Sequence, residues 1–194
     1  MSILPFLTQF CEGHYREAQE ILLNQQNYSA FTFNIIEAAY STLFSIVPSI
    51  EIFTKLTRVH SEILLLLLDF LSEAIQGPCQ QNQSELIRLN IFATCRIILI
   101  CPQLENCYSQ HGDQILKDPD CKPKHPILTL IKAKTVVLLS ALVEGPINKD
   151  FIEDLSGKIE SAVFKTAQSE GKYIYIYVIN QCLLLLTINQ YHST

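Results

Sequence analysis

The hydrophobic residues recur at intervals of three and four along most of the chain, and proline or glycine separates the successive segments. Segment 31–49 shows this spacing most clearly, and its next-to-last residue is Pro48. Such spacing predicts a helix with one apolar face that stops before Pro48. The apolar positions in this segment are Phe33, Ile36, Tyr40, Leu43, Phe44 and Val47.

The same pattern predicts helices on both sides of this segment. In 5–26, two helices meet near Glu12-Gly13-His14, because a glycine interrupts the apolar spacing there. A long helix runs from about Leu56 to Ile75 and is stopped by Gly77-Pro78. The next helix, "SELIRLNIFATCRIILI", is predicted to be opened by Asn82 or Ser84 as its cap and closed by Pro102.

Residues 103–124 are a polar stretch with cysteines and prolines, which predicts a loop. Helices resume in 126–145, break at Gly145-Pro146, and continue with a shorter helix around Lys149–Leu155. The final segment, "GKYIYIYVINQCLLLLTINQ", alternates Tyr with Ile in the manner of a strand. No other segment supplies a partner strand, so the pattern favours a helix.

These segments predict an all-α fold of about six to eight antiparallel helices. Residues 1–194 would form a single helical domain with a loop insertion at about 103–124. Successive helix hairpins of this length fit an armadillo-like solenoid and a closed bundle equally well.

Composition narrows the function classes. A chain of 194 residues with 48% hydrophobic and 17% charged residues is able to bury a large core. The net charge is −5 and no basic stripe is present, so we expect no nucleic-acid partner. The longest apolar runs, Ile63–Leu68 and Ile174–Ile188, are too short or interrupted by polar residues, so we expect no membrane insertion. Without a signal-peptide pattern, the chain is expected in the cytosol.

The cysteines and histidines include a possible zinc site. Seven cysteines do not form the dense pattern of a small secreted scaffold, so we expect most of them to be reduced and buried. Two Cys-x3-His units lie in the loop, at Cys107 and His111 and at Cys121 and His125. Their spacing differs from that of the usual zinc fingers, which favours coincidence over zinc. No nucleophile elbow, phosphate loop or HExxH pattern is present, so we expect no enzyme.

The long helix carries an acidic stripe that raises the question of a cation. Glu62, Asp69 and Glu73 are separated by seven and four residues, which places them on one side of a helix whose other sides are rich in leucine. A solvent-facing side explains such a stripe most simply. A hard cation such as calcium is the alternative, and it would need further oxygens from elsewhere in the protein.

Two stretches resemble a known family. "FLTQFCEGHYREAQEILLNQQ" (6–26) and "LSEAIQGPCQQNQSELIR" (71–88) are similar to the RIH-associated domain of the ryanodine and inositol trisphosphate receptors, the intracellular calcium-release channels. "CEGH" and "L-[ST]-E-x-x-QGPC-x-x-NQ" are specific strings in the family's order, and "LLSALVEG" (138–145) resembles a third family segment. The resemblance covers most of the chain and is weakest across 103–124 and after 157.

The resemblance implies a position and a role. In those channels the region belongs to an armadillo-like solenoid at the cytosolic face of the endoplasmic or sarcoplasmic reticulum membrane, above the pore. One glutamate from each motif helps to bind the activating calcium ion, and these correspond to Glu12 and Glu73. A backbone carbonyl near the channel's C-terminus completes the site. The implied partners are therefore other domains of the same channel, including its pore-side C-terminal region, in a homotetramer formed only by the full-length channel.

Two carboxylates alone make a partial calcium site, because calcium takes about six to eight oxygens. We therefore expect weak binding by the isolated chain, with the carboxyl groups of Glu12 and Glu73 within about 10 Å of each other so that they share one ion at ~2.4 Å. The pore helices are absent from this sequence. Two interpretations follow: part of a calcium-release channel, or a free-standing, soluble cytoplasmic scaffold that binds another protein and no ion.

Overall fold

The computed structural model describes residues 3–26, 29–77, 79–101, 126–142 and 144. This part of the chain contains only α-helices and short connections, which confirms the all-α class. The solenoid arrangement stays a prediction. The predicted loop, the stop at Gly145-Pro146 and everything after it, including the four candidate zinc ligands, lie outside the described residues. The helices are α1 (Ile3–Cys11), α2 (Arg16–Leu23), α3 (Ile35–Ile46), α4 (Ile50–Phe53), α5 (Arg58–Ile75), α6 (Gln80–Arg88), α7 (Ile91–Ile100) and α8 (Pro126–Leu142).

The predicted break between the first two helices is confirmed. Helix α1 ends at Cys11, and a tight turn follows in which Gly13 and His14 both have positive φ angles, of 78° and 59°. Left-handed backbone of this kind ends a helix because it turns the carbonyl groups away from the helix axis. The chain therefore reverses at Glu12-Gly13-His14 and α2 begins at Arg16.

Helix α3 follows the predicted pattern, and the structure adds a short helix after it. Asn34 caps α3 by accepting a hydrogen bond of 2.9 Å from the backbone N–H of Glu37, and the helix ends at Ile46, before Pro48. Helix α4 has only four residues and is capped by Ser49. A single turn is too short to show a hydrophobic period, so the sequence pattern did not predict it.

Helix α5 is the centre of the described fold. It runs for 18 residues from an N-cap at Thr57, and it contacts α1, α2, α3, α6 and α8. The three N-terminal helical segments therefore pack against one another. Half of its residues are buried, namely Ser61, Leu64, Leu67, Leu68, Phe70, Leu71, Ser72, Ala74 and Ile75.

The predicted helix after α5 needs correction. The structure has two helices there, because Asn90 adopts a left-handed conformation with φ of 62° and separates α6 from α7. Asparagine tolerates this backbone better than most residues do, so neither glycine nor proline was needed for the break. The predicted cap is also wrong, since α6 begins at Gln80 with Cys79 at the N-cap position. The end of α7 at Ile100, before Pro102, agrees with the prediction.

Helix α8 packs against α5 and α7. It begins at Pro126, a residue that suits the first helical position because its missing N–H would have no helical partner there. Lys134 of α8 forms an ion pair with Asp69 of α5. None of the helices described is both long and apolar enough to cross a membrane.

Candidate cation site at the end of helix α5

Glu73 lies in the last turn of α5, where the helix presents its negative end. No basic residue occupies that turn, and within the described part of the chain no cationic group lies within 4.0 Å of the Glu73 carboxylate. Carboxylates near a helix C-terminus are destabilised by the helix dipole, whereas cations there are stabilised. The local field at Glu73 therefore favours a bound positive charge.

Glu12 lies in the exposed turn between α1 and α2, next to the buried Cys11. Burial, with smaller contributions from the negative charge of Glu73 and from Cys79, raises the pKa of the Cys11 thiol to about 11. Helix α1, which ends at Cys11, packs against α5. That the two carboxyl groups lie within about 10 Å stays a prediction.

A close approach of His14 to Gly77 joins the same two segments. A Cβ atom built on Gly77 would lie 2.5 Å from the Cβ and 2.9 Å from the Cγ of His14. Gly77 also has a φ angle of 81°, so a side chain there would be strained even without a neighbour. The predicted stop at Gly77 is confirmed, and its contact shows that the turn after α5 lies against the turn after α1.

The other two acids of the predicted stripe differ from Glu73. Glu62 is more than half exposed and pairs with Arg58 at 2.9 Å, as expected for a solvent-facing carboxylate. Asp69 is paired with Lys134, which offsets its negative charge one turn before Glu73. The stripe therefore contains two paired acids and one, Glu73, at the helix end.

Glu144 is a further carboxylate at this end of α5, and the sequence analysis gave it no role. The backbone N–H of Gly77 donates a hydrogen bond of 3.4 Å to Oε2 of Glu144. The signal that could have identified it is the family-like segment "LLSALVEG", in which Glu144 is the acidic residue. The carboxyl-terminal end of α8 thus also meets the turn after α5.

The end of α5 is held by buried side-chain amides, which sequence reasoning also missed. The side-chain amide of Gln19 on α2 donates to the carbonyl oxygens of Glu73, at 2.7 Å, and Gln76, at 2.8 Å. The side-chain amide of Asn82 on α6 donates to the carbonyls of Ala74, at 2.8 Å, and Gln19, at 2.9 Å. We call Gln19 and Asn82 the amide clamp, since together they tie α2 and α6 to the end of α5.

The amide clamp completes the hydrogen bonding of the α5 terminus. A helix leaves its last carbonyl groups without helical partners, and buried carbonyls left in that state are costly. Here backbone N–H groups supply the partners that the clamp does not. The backbone N–H groups of Gln76 and Cys79 donate to the carbonyls of residues 72 and 75. The Gln19 amide donates to the carbonyls of residues 73 and 76, and the Asn82 amide to that of residue 74.

Cys79, Cys95 and Cys101 are buried, as is Cys11, which agrees with the expected burial of most of the cysteines. Burial raises the pKa of the Cys95 thiol to about 12 and also raises that of Cys79. Because the thiolate is the reactive form, the raised pKa values make the thiols of Cys11, Cys79 and Cys95 less reactive than exposed thiols at pH 8.

Iodoacetamide at pH 8 is therefore expected to alkylate Cys11 and Cys95 at least about tenfold more slowly in the native chain than in urea. Mass spectrometry of peptides from a time course measures the rate at each cysteine. Equal rates in the native and unfolded chains at Cys95, which is buried within the core, would contradict the described packing.

Within the described residues, no group of three or more His, Cys, Asp or Glu side chains is arranged to hold a metal ion. An ion shared by Glu12 and Glu73 would therefore take its other oxygens from water, from backbone carbonyls or from another polypeptide.

Residues 1–99 match the sequence profile of a family described as RyR and IP3R Homology associated. The chain belongs to this family. The match spans α1 to α7 except for the last residue of α7, and it includes both sequence motifs and both candidate glutamates. Among curated proteins, no sequence matches the chain. The RIH-associated domain is thus a domain associated with the ryanodine and inositol trisphosphate receptor channels.

Proposed function

We propose that this RIH-associated domain is a cytosolic regulatory part of an intracellular ligand-gated calcium-release channel. In this proposal, Glu12 and Glu73 supply part of the activating calcium site, and calcium binding is coupled to opening of the pore. The role is one of binding and coupling, with no catalysis. One observation carries the proposal: Gly77, four positions after Glu73, lies against His14, two positions after Glu12.

The chemistry of this place suits a hard cation. Calcium prefers carboxylate and carbonyl oxygens, and carboxylates are the acidic groups available at both turns. Without an ion, two carboxylates and a helix C-terminus repel one another. A bound dication removes that repulsion, and this relief adds to the free energy of binding.

Because the two glutamates form only part of the site, calcium binding would be coupled to docking of another part of the channel. Calcium requires more oxygens than two glutamates provide, and the proposed remainder includes a backbone carbonyl from the pore-side C-terminal region of the channel. An ion that contacts both parts binds more tightly when they are docked. By thermodynamic linkage, calcium then stabilises the docked arrangement, which is how occupancy would bias the pore.

The proposed partners follow from the same arrangement. They are the other domains of the channel polypeptide, assembled as a homotetramer in the full-length protein at the cytosolic face of the endoplasmic or sarcoplasmic reticulum. The described helices would lie outside the membrane, with the pore formed elsewhere in the assembly.

Replacing Glu12 or Glu73 by glutamine is expected to weaken calcium activation of the intact channel by about tenfold or more, because the calcium affinity of a site depends on its number of charged ligands. Single-channel recording across a calcium titration measures the half-activating concentration for each variant.

Glu62→Gln is the matched control, since Glu62 lies on the same helix but pairs with Arg58. It should leave the activating concentration within about twofold of the parent, a small free-energy difference. The proposal is wrong if Glu12→Gln and Glu73→Gln both behave like Glu62→Gln.

A scaffold that binds another protein and no ion is the second candidate. Three apolar residues spaced along α1 support it: Ile3, Phe6 and Phe10 are 68%, 64% and 41% exposed, and the two phenylalanine rings stack at 6.3 Å. Exposed apolar residues on one helix are a feature of interaction surfaces. The calcium titration above separates the candidates, because a scaffold needs neither glutamate.

A further inference from the structure

We propose that Gln19 is a positioning residue for the cation site. It fixes the last turn of α5, and with it Glu73, relative to the turn that carries Glu12 before any ion binds. This inference rests on the proposed function, because it concerns the same two glutamates. Gln19 acts through the backbone of Glu73, since both donors of its side-chain amide face backbone carbonyls at the end of α5.

The contacts of Gln19 show why it can act in this way. The side chain is 1% exposed, and its two amide donors match two acceptors, the carbonyl oxygens of Glu73 and Gln76. One of these carbonyls belongs to the candidate ligand residue itself. A shift of Gln19 therefore moves the backbone from which the Glu73 carboxylate projects.

Gln19 is itself held at both sides of its backbone. Its N–H donates to the carbonyl of Tyr15 at 3.1 Å, and its carbonyl accepts from the side-chain amide of Asn82. It is only seven positions from Glu12 along the chain. The path from one glutamate to the other thus runs through a short helical segment and one hydrogen bond, although the two are 61 positions apart in sequence.

The empty site is where positioning matters most. Repulsion between the carboxylates, together with the negative end of α5, acts to separate the two turns. The terminal turn of a helix also frays readily when its carbonyls lose their partners. Binding to a site that must first be reassembled is weaker, because part of the binding free energy is spent on ordering it.

Gln83 provides a matched control. It is the same residue type, is also buried at 5% exposure, and also donates to two backbone carbonyls, those of Ala141 at 2.8 Å and Glu144 at 3.1 Å. Its bonds join α6 to the end of α8, whereas those of Gln19 join α2 to the end of α5. Loss of either amide removes two similar hydrogen bonds, and only Gln19 contacts the backbone of Glu73.

The test uses the full chain and terbium(III), an oxygen-seeking trivalent ion whose luminescence reports binding. Gln19→Leu is expected to weaken terbium binding by about tenfold, and Gln83→Leu by less than about twofold, because only the first loses pre-organisation of the ligand. Circular dichroism establishes the temperature range in which both variants are folded. If Gln19→Leu does not fold, Gln19→Asn replaces it, since the shorter amide cannot reach both carbonyls.

A double-mutant cycle separates positioning from a general loss of structure. In a Glu73→Gln background, Gln19→Leu should have almost no further effect on terbium binding, because its effect acts through Glu73. The inference is overturned if Gln19→Leu and Gln83→Leu weaken binding equally, or if the Gln19 effect persists unchanged without Glu73. Failure of Glu12→Gln and Glu73→Gln to weaken binding at all would instead overturn the proposed function.

Discussion

Asn82→Asp is expected to lower the free energy of unfolding by about 3 kcal/mol or more at pH 7. Asn82 is fully buried, and its side-chain amide donates to the carbonyls of Gln19 and Ala74. An ionised aspartate has nearly the same shape but no donor. It would place a buried, unhydrated carboxylate against the carbonyl oxygens of Gln19 and Ala74. Both carbonyls would also lose the hydrogen bond that Asn82 donates.

The pH dependence of this variant has a definite sign. Burial beside two carbonyl oxygens raises the pKa of a carboxyl group at position 82 in the folded state above its unfolded value. The destabilisation is therefore complete above the folded pKa and shrinks as the pH falls towards the usual aspartate range, where both states are protonated. Relative to the parent chain, the variant should become less destabilised on acidification.

Urea unfolding followed by circular dichroism between pH 4 and 8 tests both statements, with Gln81→Glu as the control. Gln81 is exposed in the same first turn of α6, and an added negative charge near a helix N-terminus is neutral or slightly stabilising. A loss of stability in Gln81→Glu equal to that in Asn82→Asp would attribute the effect to charge alone. It would contradict the described role of the amide clamp.

Gly77→Ala is expected to lower the free energy of unfolding by about 3 kcal/mol, whereas Gly13→Ala should lower it by about 1 kcal/mol. The two glycines have nearly equal φ angles, 81° and 78°, so the backbone strain of an added side chain is similar. They differ in their surroundings: a Cβ at 77 would lie 2.5 Å from the Cβ of His14, and one at 13 would meet no atom within 4 Å.

The difference in free energy of unfolding between the two variants measures the effect of the contact between the turns. Chemical denaturation of both variants at the same pH gives this difference. A second measurement on Gly77→Ala combined with His14→Ala is not expected to restore stability, because the Cβ of His14 remains. His14→Gly in that background should recover part of the loss. Equal destabilisation by the two single substitutions would show that the turns are not in contact.

Most of the helices could be predicted because their signals are local. The stop at Gly77, the reversal at Glu12-Gly13-His14 and the end of α3 before Pro48 each depend on a residue whose backbone preference is strong by itself. The break at Asn90 could not be predicted in the same way. Asparagine enters the left-handed region readily but is also found inside helices, so its effect is decided by the packing of α6 and α7.

The candidate site was predicted in a different way from the helices. Glu12 and Glu73 were identified from specific strings, and no periodicity would have paired residues 61 positions apart. The amide clamp was missed because a buried amide and an exposed one look alike in sequence. Asn82 was assigned as a helix cap for its local preference, yet its side chain makes long-range bonds instead.

The two glutamates are attached to helices of unequal local stability. Of the nine residues of α1, only Cys11 is fully buried, whereas α5 buries half of its length among five other helices. Segments with little buried surface open far more often than central helices do. Hydrogen exchange of the backbone amides is therefore expected to be faster in α1 than in the buried part of α5.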